Sequence, residues 1–330
     1  MRSNGLFGRW IAQCESQCAR SGAIVAMSQS PNPNDVTLFA GLSGAELSVD
    51  HFDFGNGVSI ESTFAHLMNP YVVAFSEAER GKPHPAPWKL ARGGSGFDVV
   101  AQLTVPEGVS AGGFDHLNTV WWFVALLRLK ASSFVRVTVL SDMPFSDIPD
   151  SAEEPTLWPL ESSTRRMVIS KEGDGTIDDD DLKWVMENWQ SAAPLMSDGD
   201  FGTAFSAFDR CATAGNPNLA LMMLWGGLER LFSPARHELR FRISATIASY
   251  LYEPGEERQQ EYKRIKELYD ARSRVAHGAD HEDPEPLVAT HALLRRGLIK
   301  MIEENHVPRR EELEELLFGV RRDPSASEHG

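Results

Sequence analysis

The chain has 330 residues, of which 42% are hydrophobic and 24% charged, and its formal net charge is −15 at pH 7. This length exceeds that of a typical single domain, and the composition is that of a globular protein, so we predict more than one folded domain. The negative charge argues against a constitutive nucleic-acid binder, because phosphate contacts require basic surface. Binding to nucleic acid would have to be transient or confined to a local basic patch.

Membrane and secretory segments are not expected. The longest apolar run, residues 120–127, is too short to cross a bilayer. The first twenty residues lack the continuous apolar segment of a secretory signal. Three cysteines, Cys14, Cys18 and Cys211, cannot form a fully paired disulfide framework. Free thiols are typical of a reducing compartment, so we expect a cytoplasmic protein without membrane association.

The N-terminal half has a mixed texture. Residues 1–35 are predicted to be a weakly ordered segment, and residues 36–175 an α+β domain. Residues 114–131 are long enough for a helix that packs against strands, and the Pro/Gly-rich residues 79–96 are expected to form a loop. Short segments rich in β-branched and aromatic residues predict strands at 46–50, 58–62, 71–75, 97–105, 133–142 and 165–170.

Helical periodicity replaces the strand signals in the C-terminal half. Residues 176–306 are predicted to be an all-α bundle with short connections, and residues 307–330 a short helix and a polar tail. The predicted helices are 179–192, 201–215, 216–232, 237–252, 258–277, 284–305 and 310–317. The predicted fold class is therefore multi-domain α+β, with a mixed domain followed by a helical bundle.

An arginine interrupts an apolar face of the helix at 258–277. One stripe at helical spacing contains Tyr262, Ile265, Tyr269, Arg272 and Ala276. A buried arginine needs an acidic partner or an anionic ligand, because unpaired buried charge is costly. Glu229 borders the apolar stripe of the helix at 216–232, so we expect Glu229 to pair with Arg272 or with Arg242.

Arg272 and His277 have the side chains that RNA cleavage requires. Histidine can transfer protons near neutral pH, and arginine can hold phosphate oxygens. The two residues lie about 140° apart on an ideal helix, but His277 precedes Gly278, where the backbone can leave helical geometry. A two-fold dimer would supply two histidines, one as acid and one as base. In the structural alternative, Arg272 bridges to Glu229 and His277 caps the helix.

Four segments, residues 204–210, 219–233, 238–251 and 265–278, resemble HEPN domains, and in particular the ApeA-like HEPN group. The resemblance covers residues 178–304. It implies an all-α bundle that dimerises and acts as a metal-independent, cofactor-free endoribonuclease. Arg272 and His277 would be its catalytic pair and Glu229 the supporting acid. Ser273 takes a position that is often polar in the family, and Arg242 and Arg274 complete the supporting set.

The resemblance also implies partners and a role. RNA, with tRNA as a candidate, would be a transient substrate, and growth arrest as a toxin or in defence against phage would be the outcome. Some members of the superfamily have lost catalysis, so a binding module for a partner protein or a nucleotide is the alternative. The domain at 36–175 would then sense a trigger ligand or protein.

Four other patterns have ordinary structural interpretations. His291 lies in an apolar stripe and is either a core histidine or a residue of a dimer cleft. His277, His281, Glu282 and Asp283 form a possible metal set without a distant partner, so no metal is expected. Residues 170–181 resemble a calcium loop but begin with serine and end with aspartate, and we expect a turn that leads into a helix. The Trp121–Trp122 pair is expected in the core.

Overall fold

A computed structural model describes residues 31–80, 82, 84–161, 166, 167, 169, 175–233, 239–278 and 283–319, with backbone alone at 69 and 70. These residues form two compact units. The first contains residues 31–161 and 175–189, and the second contains residues 190–319 together with 166, 167 and 169. The predicted order, a sheet-rich region followed by a helical region, is confirmed. No helix in the described ranges is both long and apolar enough to cross a membrane.

A six-stranded antiparallel sheet forms the centre of the first unit. The strands among the described residues are β1 (Leu38–Ser43), β2 (Glu46–Leu47), β3 (His51–Gly55), β4 (Val58–Ala74), β5 (Trp88–Val105), β6 (Arg136–Ser141), β7 (Leu157–Pro159) and β8 (Thr176–Ile177). The order across the sheet is β3-β4-β5-β1-β6-β7, and β2 pairs separately with β8 in parallel. Strands β1 and β6 and residues 99–105 of β5 are largely apolar and buried, as expected for strands covered by other elements.

Helix α1 (His116–Lys130) is the predicted helix of this unit, and almost all of it is buried. It begins where the Asp115 carboxylate accepts a hydrogen bond from the Asn118 N–H at 2.8 Å, an N-cap that satisfies a free amide. Trp121 and Trp122 both lie in the core, as expected. Helix α1 is therefore a core helix of the sheet unit.

The unit boundary differs from the predicted start of the helical domain at residue 176. Helix α2 (Asp179–Asn188) belongs to the sheet unit. The Trp122 indole donates to the Trp189 carbonyl at 2.7 Å, and the Trp189 indole donates to the Phe54 carbonyl at 3.3 Å. These two indole hydrogen bonds join the end of α2 to α1 and β3. Tertiary contacts of this kind cannot be predicted from helical periodicity.

The prediction of a loop at 79–96 is wrong for residues 88–96. Strand β5 begins at Trp88, and Gly94 and Gly96 pair with β4 inside it. A Cβ on Gly96 would lie only 2.8 Å from His66 Nε2. Glycine therefore fits this strand position because the His66 ring lies across it.

Other strand predictions met with mixed outcomes. The predicted strands at 58–62 and 71–75 are parts of one strand, β4, and the predictions at 97–105 and 133–142 fall on β5 and β6. Strands β1 and β3 were not predicted. The strand predicted at 165–170 is not formed at 166, 167 or 169, and its other residues, like most of residues 1–35, lie outside the described residues.

The second unit consists of helices. They are α3 (Gly199–Cys211), α4 (Pro217–Phe232), α5 (Leu239–Leu251), α6 (Glu256–Ala276), α7 (Glu285–Glu303) and α8 (Arg310–Leu317). Side chains of Asp198 and Asn216 cap α3 and α4. A Cβ on Gly227 of α4 would approach the Ala204 Cα to 3.2 Å, so these two helices pack closely. Each of the six predicted helices is confirmed, with ends displaced by a few residues at most.

The β4–β5 hairpin extends beyond the rest of the sheet. Strand β3 pairs with β4 only as far as Glu61, and β1 pairs with β5 only from Ala101. Eight large apolar side chains of the hairpin are exposed: Phe64, Met68, Tyr71, Val72, Val73, Phe75, Trp88 and Leu90. The outer part of the hairpin is thus a two-stranded ribbon with little packing.

We expect this ribbon to open far more readily than the sheet. Two-stranded hairpins are marginally stable in water, and local opening is easiest where few apolar contacts are buried. By hydrogen–deuterium exchange, amides of 66–74 and 88–96 should exchange faster than those of 101–105 by about two orders of magnitude or more. The outer and inner amides all lie in β4 and β5, so the measurement compares two parts of the same strands. Equal protection along the whole of β5 would contradict the prediction.

Candidate functional site

The side chains of Arg272 and Glu229 form an ion pair between α6 and α4. Arg272 Nη2 lies 2.8 Å from Glu229 Oε1, and the two side chains are 21% and 24% exposed. Arg242, the other predicted partner of Glu229, lies on α5 and makes no ion pair within the described residues. The expected pairing is therefore formed, and the alternative between the two arginines is resolved in favour of Arg272.

Two aromatic rings support this pair. The Arg272 guanidinium lies over the Tyr269 ring at 5.6 Å from its centroid, and Tyr269 meets Trp225 edge to face at 5.3 Å. Trp225 is fully buried and precedes Glu229 by four residues on α4. Each ring thus lies about one helical turn before the charge it supports. Tyr269 belongs to the apolar stripe predicted from the sequence. Its contact with Trp225 could not be predicted from that stripe, because the contact depends on how α4 and α6 face each other.

The pair is close without being well aligned. Glu229 Oε1, Arg272 Nε and Trp225 Nε1 are buried and have no hydrogen-bond partner within the described residues, although the Arg272–Glu229 contact has the length of an ion pair. The 2.8 Å distance makes the contact an ion pair, although its geometry is not that of a hydrogen bond. The unpaired Arg272 Nε is buried, but the side chain as a whole is 21% exposed, so part of it is accessible to an anionic group.

His277 lies at the end of the same helix, exposed to solvent. Its backbone N–H is bonded to the Ser273 and Arg274 carbonyls at 3.2 and 3.1 Å, and Gly278 then takes a φ of +86°, which favours glycine. The imidazole itself makes no hydrogen bond or ion pair with any described residue. His277 therefore ends the helix through its backbone and leaves its ring accessible.

The remaining predicted site residues are arranged less closely. Ser273 is partly buried and Arg274 is exposed on the last turns of α6. The neighbouring residue Asp270 pairs with Arg240 at the start of α5, a contact that sequence patterns did not indicate. Arg242 is partly buried away from Glu229, so it is not part of this cluster. The site is thus a supported arginine with an accessible histidine on one helix end.

His291 is a core residue of the helical unit. Its ring stacks on Phe208 with centroids 4.5 Å apart, and it is 5% exposed. Burial lowers the pKa of His291 to about 4, and the positive charges of Arg295 and Arg166 act in the same direction. The imidazole is therefore neutral near pH 7 and belongs to the apolar packing.

Metal-binding candidates find no support in the described ranges, where no group of three or more His, Cys, Asp and Glu side chains could hold an ion. His281 and Glu282 lie outside the described residues, as do residues 170–174 of the calcium-like segment. Asp178 and Asp181 form a capping box at the start of α2. The end of that segment therefore leads into a helix, as expected.

Cys211 is a packed thiol. Its side chain is buried and lies 3.0 Å from the Phe208 carbonyl, and burial raises the pKa of Cys211 to about 12. Only the thiolate is a strong nucleophile or metal ligand, and burial favours the neutral thiol of Cys211 near neutral pH. Cys14 and Cys18 lie outside the described residues.

Comparison of the chain with protein-family models, curated proteins and solved structures gave no match. A functional assignment therefore depends on what the side chains themselves can do. The cluster on α4 and α6 can hold an anion at Arg272, and the accessible imidazole of His277 can transfer a proton near neutral pH.

We expect His291 to make stability depend on pH. The folded-state pKa of about 4 lies below the ordinary value of about 6.5, so the neutral ring is favoured by folding. This contribution is complete above pH 6.5 and is lost as the pH falls towards 4, by about 3 kcal/mol at most. Urea unfolding of the wild type and His291→Phe should show a steeper loss for the wild type in this window, whereas parallel curves would contradict the account.

Glu229 and Arg272 should prove energetically coupled. Glu229→Gln or Arg272→Met leaves the other charge partly buried, and each change should destabilise the fold by about 1–2 kcal/mol. In denaturant unfolding, the double variant should lose less than the sum of the two, because neither charge remains unpaired. Arg230→Met, which breaks an exposed pair with Asp200, is the matched control and should cost less than about 1 kcal/mol. Additive losses from the buried pair would contradict the coupling.

Proposed function

We propose that the chain is a metal-independent endoribonuclease of the HEPN type. The observation that carries the proposal is the combination at the end of α6 of a supported arginine, Arg272, with an accessible histidine five residues later, His277. The Glu229 carboxylate and the Tyr269 ring hold the guanidinium in place. This combination supplies a phosphate-binding cation and a proton-transfer group at one helix end.

The chemistry follows from these two side chains. A neutral His277 takes the proton from a ribose 2′-hydroxyl, whose oxygen then attacks the adjacent phosphorus. Arg272 stabilises the negative charge on the phosphate oxygens, which its guanidinium reaches while Glu229 orients it from behind. The bond to the 5′-oxygen breaks, and this oxygen receives a proton from a protonated His277. The products are a 2′,3′-cyclic phosphate and a 5′-hydroxyl.

Two copies of the chain complete the proposed site. One imidazole cannot be both unprotonated base and protonated acid in one step, so a homodimer with two α6 ends at one cleft supplies both. Ser273 and Arg274 would border this cleft. RNA, including tRNA, is the proposed transient substrate in the cytoplasm, and growth arrest or defence against phage is the proposed role. The sheet unit would receive the trigger, as a ligand or a protein.

One set of observations favours a second function, a module that binds a partner protein or a nucleotide without cleavage. Arg272 is already engaged by Glu229, and the net charge of −15 repels free RNA at long range. In this alternative the end of α6 is an anion-binding surface. Substitution of Arg272 or His277 would then weaken binding, and the wild-type protein would release no RNA fragments.

Purified wild-type protein should cleave bulk RNA or tRNA in the presence of EDTA. His277→Ala and Arg272→Ala should each lower the rate by about 100-fold or more, because each removes a separate contribution to the transition state. Gel electrophoresis of the RNA measures the rates.

His306→Ala is the matched control, since His306 is a partly exposed histidine that pairs with Glu312 outside the site. This variant should keep the wild-type rate. Cleavage that persists unchanged in His277→Ala, or that EDTA abolishes, would contradict the nuclease proposal. Binding of RNA without fragments would favour the binding module.

A further inference from the structure

Helices α5, α6 and α8 enclose a groove with a volume of about 670 Å³. This volume is within the range of small-molecule sites. Its floor on α5 consists of small side chains, Ala245, Ala248 and Ser249, which lie at helical spacing on one face. The groove exists because these residues leave the space between the three helices unfilled.

Aromatic rings form its walls. Phe241 is 58% exposed and Phe318 is 86% exposed, although both are large apolar side chains. Phe241 meets Tyr262 edge to face, with centroids 6.0 Å apart. Clustered exposed apolar surface in a concave site is typical of ligand-binding surfaces, and rings in this arrangement offer faces on which a planar group can stack.

Positive charge surrounds the rings. Arg242 is partly buried in the groove and makes no hydrogen bond or ion pair with any described residue. Arg258 is oriented by donation from Nε to the Tyr252 carbonyl at 2.7 Å, which leaves its Nη1 group unbonded within the described residues. The Lys266 ammonium lies 5.2 Å from the Tyr262 ring centroid.

Among the described residues that line the groove, Glu314 is the one carboxylate, and it pairs with Arg310 at 3.3 Å. The groove is therefore locally cationic in a chain whose net charge is −15. Local positive charge of this kind selects for anions. Its guanidinium groups suit carboxylate or phosphate oxygens in particular.

We propose that this groove is a binding site for a small organic anion with a planar aromatic body. The ring packs against the exposed faces of Phe241 and Tyr262 above the small residues of α5, and its anionic group is held by Arg242 and Arg258. Tyr262 precedes Arg272 by ten residues, or about 15 Å along α6, so this site is separate from the arginine–histidine end. The inference does not depend on the proposed nuclease function.

Isothermal titration of the full chain tests the proposal with 2-naphthoate as an aromatic carboxylate and AMP as an aromatic phosphate. The neutral analogues, 2-naphthamide and adenosine, are the matched ligands. At least one anion should bind with a dissociation constant below about 1 mM, and at least about tenfold more tightly than its neutral analogue. The tighter of the two anions identifies the source of the anionic group.

Three variants locate the binding. Arg242→Ala should weaken it about tenfold or more, and Ala245→Trp, which fills the groove, should abolish it. Arg80→Ala, an exposed arginine in the other unit, should bind as the wild type does. Circular dichroism confirms that each variant is folded. Failure of both anions to bind the wild type, or binding that neither Arg242→Ala nor Ala245→Trp affects, would overturn the proposal.

Discussion

A single charged pair inside an apolar helix stripe constrains the helical unit. Arg272 and Glu229 are each about three-quarters buried, and neither could remain there alone at low cost. The pair therefore fixes how far α4 and α6 can slide or rotate against each other, and the Trp225–Tyr269 contact one turn earlier imposes the same register. That register places Arg272 beside Glu229, whereas the end of α6 at His277 is set locally by Gly278.

The ion pair also gives Arg272 a dual character. Its partner and its aromatic support hold it in one orientation, while its 21% exposure leaves part of the side chain accessible to an incoming anion. A side chain held in this way can bind phosphate without first losing much conformational freedom. The same engagement would suit a protein that recognises an anion and performs no chemistry. The distinction between the two functions thus depends on His277, whose ring is exposed and has no structural duty within the described residues.

Much of the helical unit could be predicted from the sequence, because apolar side chains at helical spacing and local capping residues act over short distances. The helix at 310–317 was predicted to its observed limits. The Glu229 pairing was predicted as a choice between two arginines, and helix rotation, which the sequence does not encode locally, decided it. The groove beside Arg242 was not foreseen, since a cavity depends on three helices and on the small residues they present to one another.

The sheet unit was harder to predict for physical reasons. Strand β1 contains Gly41, where a Cβ would lie 2.9 Å from Phe145 and Val99 atoms, so a residue with low strand propensity is required by close packing. Gly96 of β5 has a similar cause, since a Cβ there would meet the His66 ring. Helix α2 has ordinary amphipathic character, and only the buried indoles of Trp122 and Trp189 show which unit it joins. In each case tertiary contacts override the local pattern.

The most direct test of the central claim is the chemistry of the RNA ends that the wild-type protein produces. Attack by the 2′-hydroxyl with proton transfer through His277 predicts fragments with 2′,3′-cyclic phosphate and 5′-hydroxyl ends in mass spectra of a defined oligoribonucleotide. Fragments with 3′-hydroxyl and 5′-phosphate ends, or an oligoribonucleotide that remains intact, would contradict the account.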